Sequence, residues 1–240
     1  MTGAGEARHA SRLDRMSDAP EAATVPPDEV VTPEGPPSDR LGDLDAEARA
    51  RRAAALAQIR TFGDPVLKSR ASTVERFGPE LERDAERMIE LMHDAIGVGL
   101  AATQLGVMRR LLVFQAGPDA TPTAIANPEL EWVSNELVVA EEGCLSLPRV
   151  SVDVERPLHA RVQGRDVHGE ALTVEASGLE ARVLQHEIDH LDGVLMLDRT
   201  ARDQRKAALR ALREGSAYSP SDEGDEAEPT PADEPEPTPS

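Results

Sequence analysis

The pentad from His186 to His190 reads His-Glu-Ile-Asp-His, and it constrains this chain more than any other stretch. On an α-helix, residues four apart lie one above the other, so the two histidines would present their imidazoles on one face. Two such nitrogens can bind one metal ion, and Glu187, about 100° further round the helix, can reach a water on that metal. The alternative is an ordinary helix that carries two solvated histidines.

The residues around the pentad favour a helix that packs in the interior of a domain. Leu184, Ile188 and Leu191 follow a 4–3 apolar spacing on the side away from the two histidines. Gly193, just beyond them, is a typical stop signal for a helix. The sequence therefore predicts that the pentad lies on a helix with one buried face.

A third protein ligand is needed, because catalytic sites of this kind normally combine three protein ligands with one water. Metalloproteases of the H-E-x-x-H-x-x-G-x-x-H type have a histidine where this chain has Met196, and a thioether binds hard or borderline divalent ions poorly. The glutamate used by a second protease type would be Glu214, which lies beyond a strongly basic stretch. The better candidate is Cys144, the only cysteine. An isolated cysteine is most often an inert core residue, but this one lies in a glycine-bounded, acid-flanked segment.

The acidic charge of the chain is concentrated at its two ends. Residues 1–48 contain eleven acidic and four basic side chains, and residues 216–240 contain eight acidic and no basic ones. These two segments also hold twelve of the nineteen prolines. Such segments cannot bury enough apolar surface to offset chain entropy. We therefore predict a disordered N-terminal extension over 1–50, one domain over 51–215 and a disordered tail over 216–240.

Composition also limits the compartment and the kind of partner. A single cysteine allows no internal disulfide, which is typical of a reducing cytoplasm, and no apolar run reaches the length of a membrane span. Aromatic residues make up 2% of the chain, so stacking of nucleic-acid bases on exposed rings is not expected. These features indicate a cytoplasmic protein without a membrane partner.

Helices and strands are predicted in blocks rather than in alternation. A helix is expected over 45–60, and another opens at Pro79 and has an apolar stripe. Strands are expected over 109–116, 123–126, 138–140 and 150–154, with a hairpin over 158–165 and 171–176. The metal helix and a basic helix over 199–213 follow. This order predicts an α+β fold, with a mainly antiparallel sheet packed around the central H-E-x-x-H helix.

The apolar stripe of the helix that opens at Pro79 consists of Leu81, Ala85, Met88, Met92 and Ala95. His93 lies next to this stripe, and we interpret it as a surface or hydrogen-bonded residue.

Three segments together resemble the signature motifs of the peptide deformylase family, in the family's order. They read Gly-Val-Gly-Leu-Ala-Ala-Thr-Gln over 97–104, Glu-Gly-Cys-Leu-Ser over 142–146 and Gln-His-Glu-Ile-Asp-His over 185–190. The resemblance extends over about residues 56–213, and only the flanking segments depart from it.

The resemblance implies a metal-dependent hydrolase that removes the N-formyl group from the initiator methionine of newly made proteins. It implies one divalent ion, Fe²⁺ before Zn²⁺ or Ni²⁺, bound by Cys144, His186 and His190. By the same resemblance Glu187 is the general base and acid, and Gln104 and the Leu145 N–H are donors to the oxyanion. Residues Val98, Gly99 and Gly143 would line the path of an extended substrate. The expected partners are N-formyl-methionyl nascent peptides, on which the chain would act as a monomer.

The residue types suit that chemistry. A metal lowers the pKa of water and so supplies a hydroxide-like nucleophile at neutral pH. A thiolate ligand is consistent with Fe²⁺ or Zn²⁺. The developing oxyanion needs fixed donors, and a neutral side-chain amide such as that of Gln104 is one.

Two other functions compete with this interpretation. A zinc endoprotease would carry the same pentad, but the chain lacks the third histidine of that class. A binding protein with a structural metal site would need four protein ligands, and there is no second cysteine to complete them.

The predicted last helix carries a basic stripe of Arg202, Lys206, Arg210 and Arg213. The stripe is either a solvated charged face or a surface that docks on ribosomal RNA near the exit of the nascent chain. The acidic residues that follow it could fold back on the stripe and compete with RNA.

Overall fold

The computed structural model describes residues 44–223. Helix α1 spans Ala46–Leu56, and its start is determined by Asp45, whose side chain accepts a hydrogen bond from the Ala48 N–H at 2.7 Å. Helix α2 spans Pro79–Asp94. The predicted stripe of α2 is confirmed, because Leu81, Ala85, Met88, Met92 and Ala95 are all at most 3% exposed.

Five antiparallel strands form the larger sheet, in the order β1-β2-β3-β6-β7. The strands are β1 (Gly99–Ala101), β2 (Leu111–Phe114), β3 (Thr123–Val133), β6 (His159–Arg165) and β7 (Ala171–Ser177). A second, two-stranded antiparallel sheet consists of β4 (Leu137–Cys144) and β5 (Leu147–Pro157). The predicted α+β fold with mainly antiparallel strands is confirmed.

Strand β3 is longer than predicted. The sequence indicated an end before Asn127 and Pro128, yet the strand continues to Val133. Pairing with β6 shifts register between Ala126 and Glu129, so the two turn-forming residues are accommodated in a bulge. Asn127 adopts φ +53°, and its side chain is hydrogen bonded to the backbone N–H and carbonyl of Val74 at 2.7 and 2.9 Å. These tertiary bonds stabilise a conformation that local propensity disfavours.

Helix α3 (Gly178–Leu191) carries the pentad and packs against the larger sheet. Leu184, Ile188 and Leu191 are buried with Leu112 and Ile125 of that sheet, as the apolar spacing predicted. The helix ends just before Gly193, whose φ is +74°. A Cβ there would lie 2.7 Å from the carbonyl carbon of Lys68, so glycine is required both for the turn and for the close approach of the chain.

Helix α4 (Arg202–Glu214) packs Ala208 and Ala211 against β5. Beyond it, the Tyr218 N–H donates to the Arg149 carbonyl at 3.0 Å, and the Ser151 N–H donates to the Tyr218 carbonyl at 2.9 Å. These backbone bonds attach the chain to β5 past the predicted domain end at 215.

Helix α1 likewise starts before the predicted domain boundary at 51. The remaining parts of the predicted disordered segments, 1–43 and 224–240, lie outside the described residues. No helix within 44–223 is long and apolar enough to cross a membrane.

Candidate metal centre

The structure brings Cys144, His186 and His190 together. Their ligand atoms all lie within 4.8 Å of one another. The Sγ of Cys144 is 3.2 Å from Nε2 of His190, and the two imidazole centroids are 4.9 Å apart. A thiol and two imidazoles at this separation form a donor set that suits a divalent transition metal.

The other residues considered as ligands lie elsewhere. Met196 is 1% exposed and belongs to the core cluster beneath α4. Glu214 pairs with Arg210 at 2.9 Å on the surface of α4. His93 is exposed and hydrogen bonded to Gln115 at 2.6 Å, as its interpretation as a surface residue required.

Cys144 is positioned by the β4–β5 hairpin. It ends β4 and pairs with Leu147, with a register shift between Gly143 and Cys144. Leu145 and Ser146 form the turn between the strands. Leu145 therefore directly follows Cys144. Its side chain lies close to Gly97, because a Cβ built on Gly97 would be 3.0 Å from Leu145 Cδ1.

Glu142 contacts the candidate site, and sequence reasoning assigned it no role although it belongs to the second motif. Its carboxylate accepts two hydrogen bonds from Arg156, at 2.6 and 3.0 Å, and one from Arg182 at 2.8 Å. Nδ1 of His186 lies 3.0 Å from the second carboxylate oxygen. Arg156 also binds Asp189 at 2.9 Å, so buried charges form a chain that reaches the candidate ligand His186 through Glu142.

This arrangement selects the tautomer of His186. Burial raises the pKa of Glu142, but the hydrogen bonds from His186 and Arg156 outweigh it and hold that pKa well below its usual range. An ionised Glu142 can only accept, so Nδ1 of His186 carries a proton, and in the neutral ring Nε2 is the nitrogen that can bind a metal. The carboxylate therefore orients one candidate metal ligand.

Glu187 directly follows the candidate ligand His186, and one of its carboxyl oxygens has no partner among the described residues. The residue is 4% exposed, and Oε2 has no hydrogen bond to any residue within 44–223. Burial is the main cause that raises the pKa of Glu187 to about 7. A buried carboxyl whose pKa is near neutrality can both take up and release a proton at physiological pH.

Gly99 makes room for that carboxyl group. A Cβ at Gly99 would clash with Oε1 of Glu187 and would lie 2.9 Å from its Cδ. Any larger residue at this position of β1 would therefore displace the Glu187 side chain.

Gln104 has a fixed orientation next to the thiol. The residue is 2% exposed, and its Oε1 accepts from the Ala101 N–H at 2.9 Å. Nε2 donates to Ser146 Oγ at 3.2 Å and approaches Cys144 Sγ at 3.7 Å. Its N–H groups therefore point towards the candidate metal centre.

Two exposed residues flank the centre. Val98 is 42% exposed and precedes β1, and Gly143 is exposed on β4. No atom lies within 4 Å of a Cβ built on Gly143. Among the described strands, β1 lies at the edge of the larger sheet and pairs only with β2, although its three residues are buried.

The sequence and the fold are similar to those of known proteins. A profile described as polypeptide deformylase matches residues 56–206. The chain is 48% identical over 142 residues to a peptide deformylase of Thermotoga neapolitana, covering 59% of this chain and 85% of that protein. It is 46% identical over 156 residues to one from a Parafrankia species, with coverages of 65% and 85%.

Comparison of the fold with solved structures gives the same family as the sequence matches. A crystal structure of peptide deformylase from Ehrlichia chaffeensis superimposes with a TM-score of 0.63 at 33% identity, covering 66% of this chain and 95% of that one. The enzyme from Synechococcus elongatus, solved in complex with actinonin, gives 0.62 at 39% identity, with coverages of 66% and 88%. On these matches the chain belongs to the polypeptide deformylase family of hydrolases, which removes N-formyl groups from nascent peptides.

Proposed function

We propose that this chain is a metal-dependent deformylase that hydrolyses the formamide of N-formyl-methionyl nascent peptides and releases formate. The observation that carries the proposal is the meeting of three candidate ligands, one of which adjoins a buried carboxyl group on α3. The ligand atoms lie within 4.8 Å of one another, and Glu187, which follows His186, is buried and leaves Oε2 without a partner among residues 44–223.

Cys144, His186 and His190 would hold the ion through Sγ and the two Nε2 atoms. A bound divalent cation, Fe²⁺ in preference to Zn²⁺ or Ni²⁺, lowers the pKa of water and makes it nucleophilic at neutral pH. Both imidazoles must be neutral to act as ligands, and in the neutral His186 ring the hydrogen bond from Nδ1 to Glu142 would leave Nε2 available to the ion.

Glu187 would move the proton. It takes a proton from the attacking water and delivers it to the nitrogen of the leaving amine, so the carboxyl group begins and ends the cycle ionised. Its burial and its pKa of about 7 support both halves of this transfer.

Gln104 and the N–H of Leu145 would stabilise the negative charge that develops on the formyl oxygen. The Gln104 amide needs no reorganisation, because Ala101 and Ser146 already hold both of its ends. Donors that are fixed in advance stabilise a transition state more than they stabilise the substrate.

The substrate would lie along Val98, Gly99 and Gly143. The edge of β1 that pairs with no described strand can offer backbone hydrogen bonds to an extended peptide without reading its side chains. That property suits an enzyme acting on the start of many different proteins.

Formate release tests the proposal. Protein purified and metal-loaded under anaerobic conditions should release formate from a formyl-Met-Ala-Ser peptide and leave the N-acetyl analogue and all internal bonds intact. Internal cleavage would instead support a metalloprotease. Stoichiometric metal without formate release would support a binding protein.

We also propose that the exposed basic face of α4 contacts ribosomal RNA. Arg202, Lys206 and Arg213 are exposed and form no ion pair with residues 44–223. Arg210, the fourth residue of the predicted stripe, is paired with Glu214. Co-sedimentation with ribosomes should weaken on R202E/K206E/R213E and fall with rising salt. Unchanged co-sedimentation would reject the contact.

A further inference from the structure

Helix α4 borders a groove that the proposed reaction does not use. Its first part is a depression of about 310 Å³ along one face of the helix. The second part, of about 200 Å³, shares Arg205 and Leu209 with the first and runs between α4 and the segment 62–68. We call the two parts the α4 groove. The first part is lined by Arg202, Arg205, Lys206, Leu209 and Arg213. The second has an apolar floor that includes Phe62, Pro65, Leu67, Leu195 and Leu197, and Asp64, Lys68 and Asp198 also line it.

The rim of the α4 groove carries positive charge that residues 44–223 leave unpaired. Arg202, Lys206 and Arg213 have no carboxylate within ion-pair distance among those residues. Arg205 lies 3.5 Å from Asp198, but that carboxylate is already bound by Lys68 at 2.5 Å. A cationic rim over an apolar floor suits an extended ligand that alternates acidic and apolar residues.

The chain itself contains a segment of this composition. Residues 224–240 include six acidic side chains, five prolines and no basic residue. Proline-rich peptides dock in extended form on grooves with aromatic and apolar floors, and acidic side chains bind clustered cations. We propose that this acidic tail binds the α4 groove of its own chain.

The point of attachment favours the C-terminal tail over the acidic N-terminal extension. Tyr218 is bonded to β5 and shares a core cluster with Ala208 and Ala211 of α4. Seventeen residues reach up to roughly 55 Å when extended, whereas the 13 residues of α4 rise only about 20 Å along the helix axis. The N-terminal extension joins the domain at α1, whose core cluster is a different one, and carries Arg8, Arg12 and Arg15.

Occupancy by the tail would screen the groove from other polyanions. A tethered segment acts at an effective concentration on the order of millimolar, so weak contacts suffice to fill the site in the free protein. A nucleic-acid surface with many phosphates would have to displace it. The inference concerns binding within the free chain and does not depend on the proposed reaction.

The lysine content of the chain allows a direct test. Only Lys68 and Lys206 are present, and Lys206 lies in the α4 groove. A zero-length carbodiimide reagent applied to the full chain should join Lys206 to a carboxylate between Asp225 and Glu236, detected by mass spectrometry after trypsin digestion. Lys68 should join Asp198, and this product reports both an active reagent and a folded domain.

Charge variants of the full chain sharpen the result. The R202E/R213E variant keeps Lys206 but should lose most of the cross-link between Lys206 and the tail, which we call the tail product. The R49E/R83E variant has the same change in net charge on other helices and should keep the tail product. The product should also disappear at high salt. Mixing ¹⁴N- and ¹⁵N-labelled chains should give no mixed product.

Four results would overturn the proposal. The first two are a cross-link from Lys206 to the N-terminal extension and a mixed cross-link between two copies of the chain. The other two are an undiminished tail product in R202E/R213E and the absence of any tail product while Lys68 joins Asp198 normally.

Discussion

Nδ1 of His186 lies 3.0 Å from Oε2 of Glu142, and the same carboxylate is held by the guanidinium groups of Arg156 and Arg182. One buried acid thus joins a candidate metal ligand to the interior of the domain. The orientation of His186 therefore depends on a residue that is not among the three candidate ligands.

Replacement of Glu142 should weaken metal binding. Glu142→Gln keeps the shape but removes the charge that fixes His186 and pairs two buried arginines, so metal affinity should fall about 10–100-fold. Stability should fall by roughly 3 kcal/mol or more, because buried cations lose their partner. Competition with a chelator and denaturant unfolding measure the two effects. The control is Glu141→Gln, since Glu141 faces Ser151 and Ser219 instead. Equal metal affinity in the two variants would contradict the orienting role.

Gln104→Leu should lower kcat about 10²–10³-fold and leave metal content and KM nearly unchanged, because its donor acts mainly on the oxyanion. Ser146→Ala, which removes only the acceptor that holds the Gln104 amide, should have a smaller effect on kcat. Steady-state kinetics on a formyl-Met peptide distinguish these cases. A pure KM effect of Gln104→Leu would mean that this residue binds substrate and does not stabilise the transition state.

Gly99→Ala should displace the Glu187 carboxyl group and lower kcat, with a loss of stability of about 1–3 kcal/mol from overpacking. Gly143→Ala introduces the same methyl group where no atom lies within 4 Å, so its unfolding free energy should match that of the wild type. Thermal unfolding and kinetics of both variants check the contrast. Normal kcat in Gly99→Ala would show that the carboxyl group does not need its present position.

Asp198 should make stability depend on pH. Partial burial raises its pKa, but hydrogen bonds from Lys68 and the Leu195 N–H outweigh burial and hold the pKa below its ordinary value. A lowered folded-state pKa contributes stability above the unfolded pKa of about 3.9, and this contribution disappears as pH falls through the folded-state pKa. Asp198→Asn should therefore lower Tm at neutral pH, and the difference from wild type should shrink as pH falls below the unfolded-state pKa. A difference independent of pH would exclude this ionisation as its cause.

Much of the fold could be predicted because local pattern and tertiary structure agree. The apolar spacing of α2 and α3, and the β6–β7 hairpin, need only short-range sequence information. The extension of β3 through Asn127 and Pro128 could not be predicted, since it depends on bonds to Val74, 53 residues away. Attachment of Tyr218 to β5 similarly depends on backbone bonds that leave no pattern in the tail.

The candidate site also combines residues that the sequence predicts with residues that only the fold brings together. The pentad indicates its two histidines and Glu187 through helical geometry, and the single cysteine suggests the third ligand. Glu142 opens the second motif but was missed, because an acidic residue has many possible partners and only the fold brings Arg156, Arg182 and His186 to it. The contact between Gly99 and Glu187 also joins two segments that are distant in the sequence, so the spacing of residues could not predict it.

Formate release by Glu187→Gln, measured together with metal content, tests the central claim most directly. The account predicts a full complement of metal and a loss of nearly all turnover of a formyl-Met peptide, because Glu187 moves the proton and is not among the ligands. Cys144→Ala is the matched control and should lose metal as well as activity. Turnover by Glu187→Gln near the wild-type rate, with metal bound, would contradict the account.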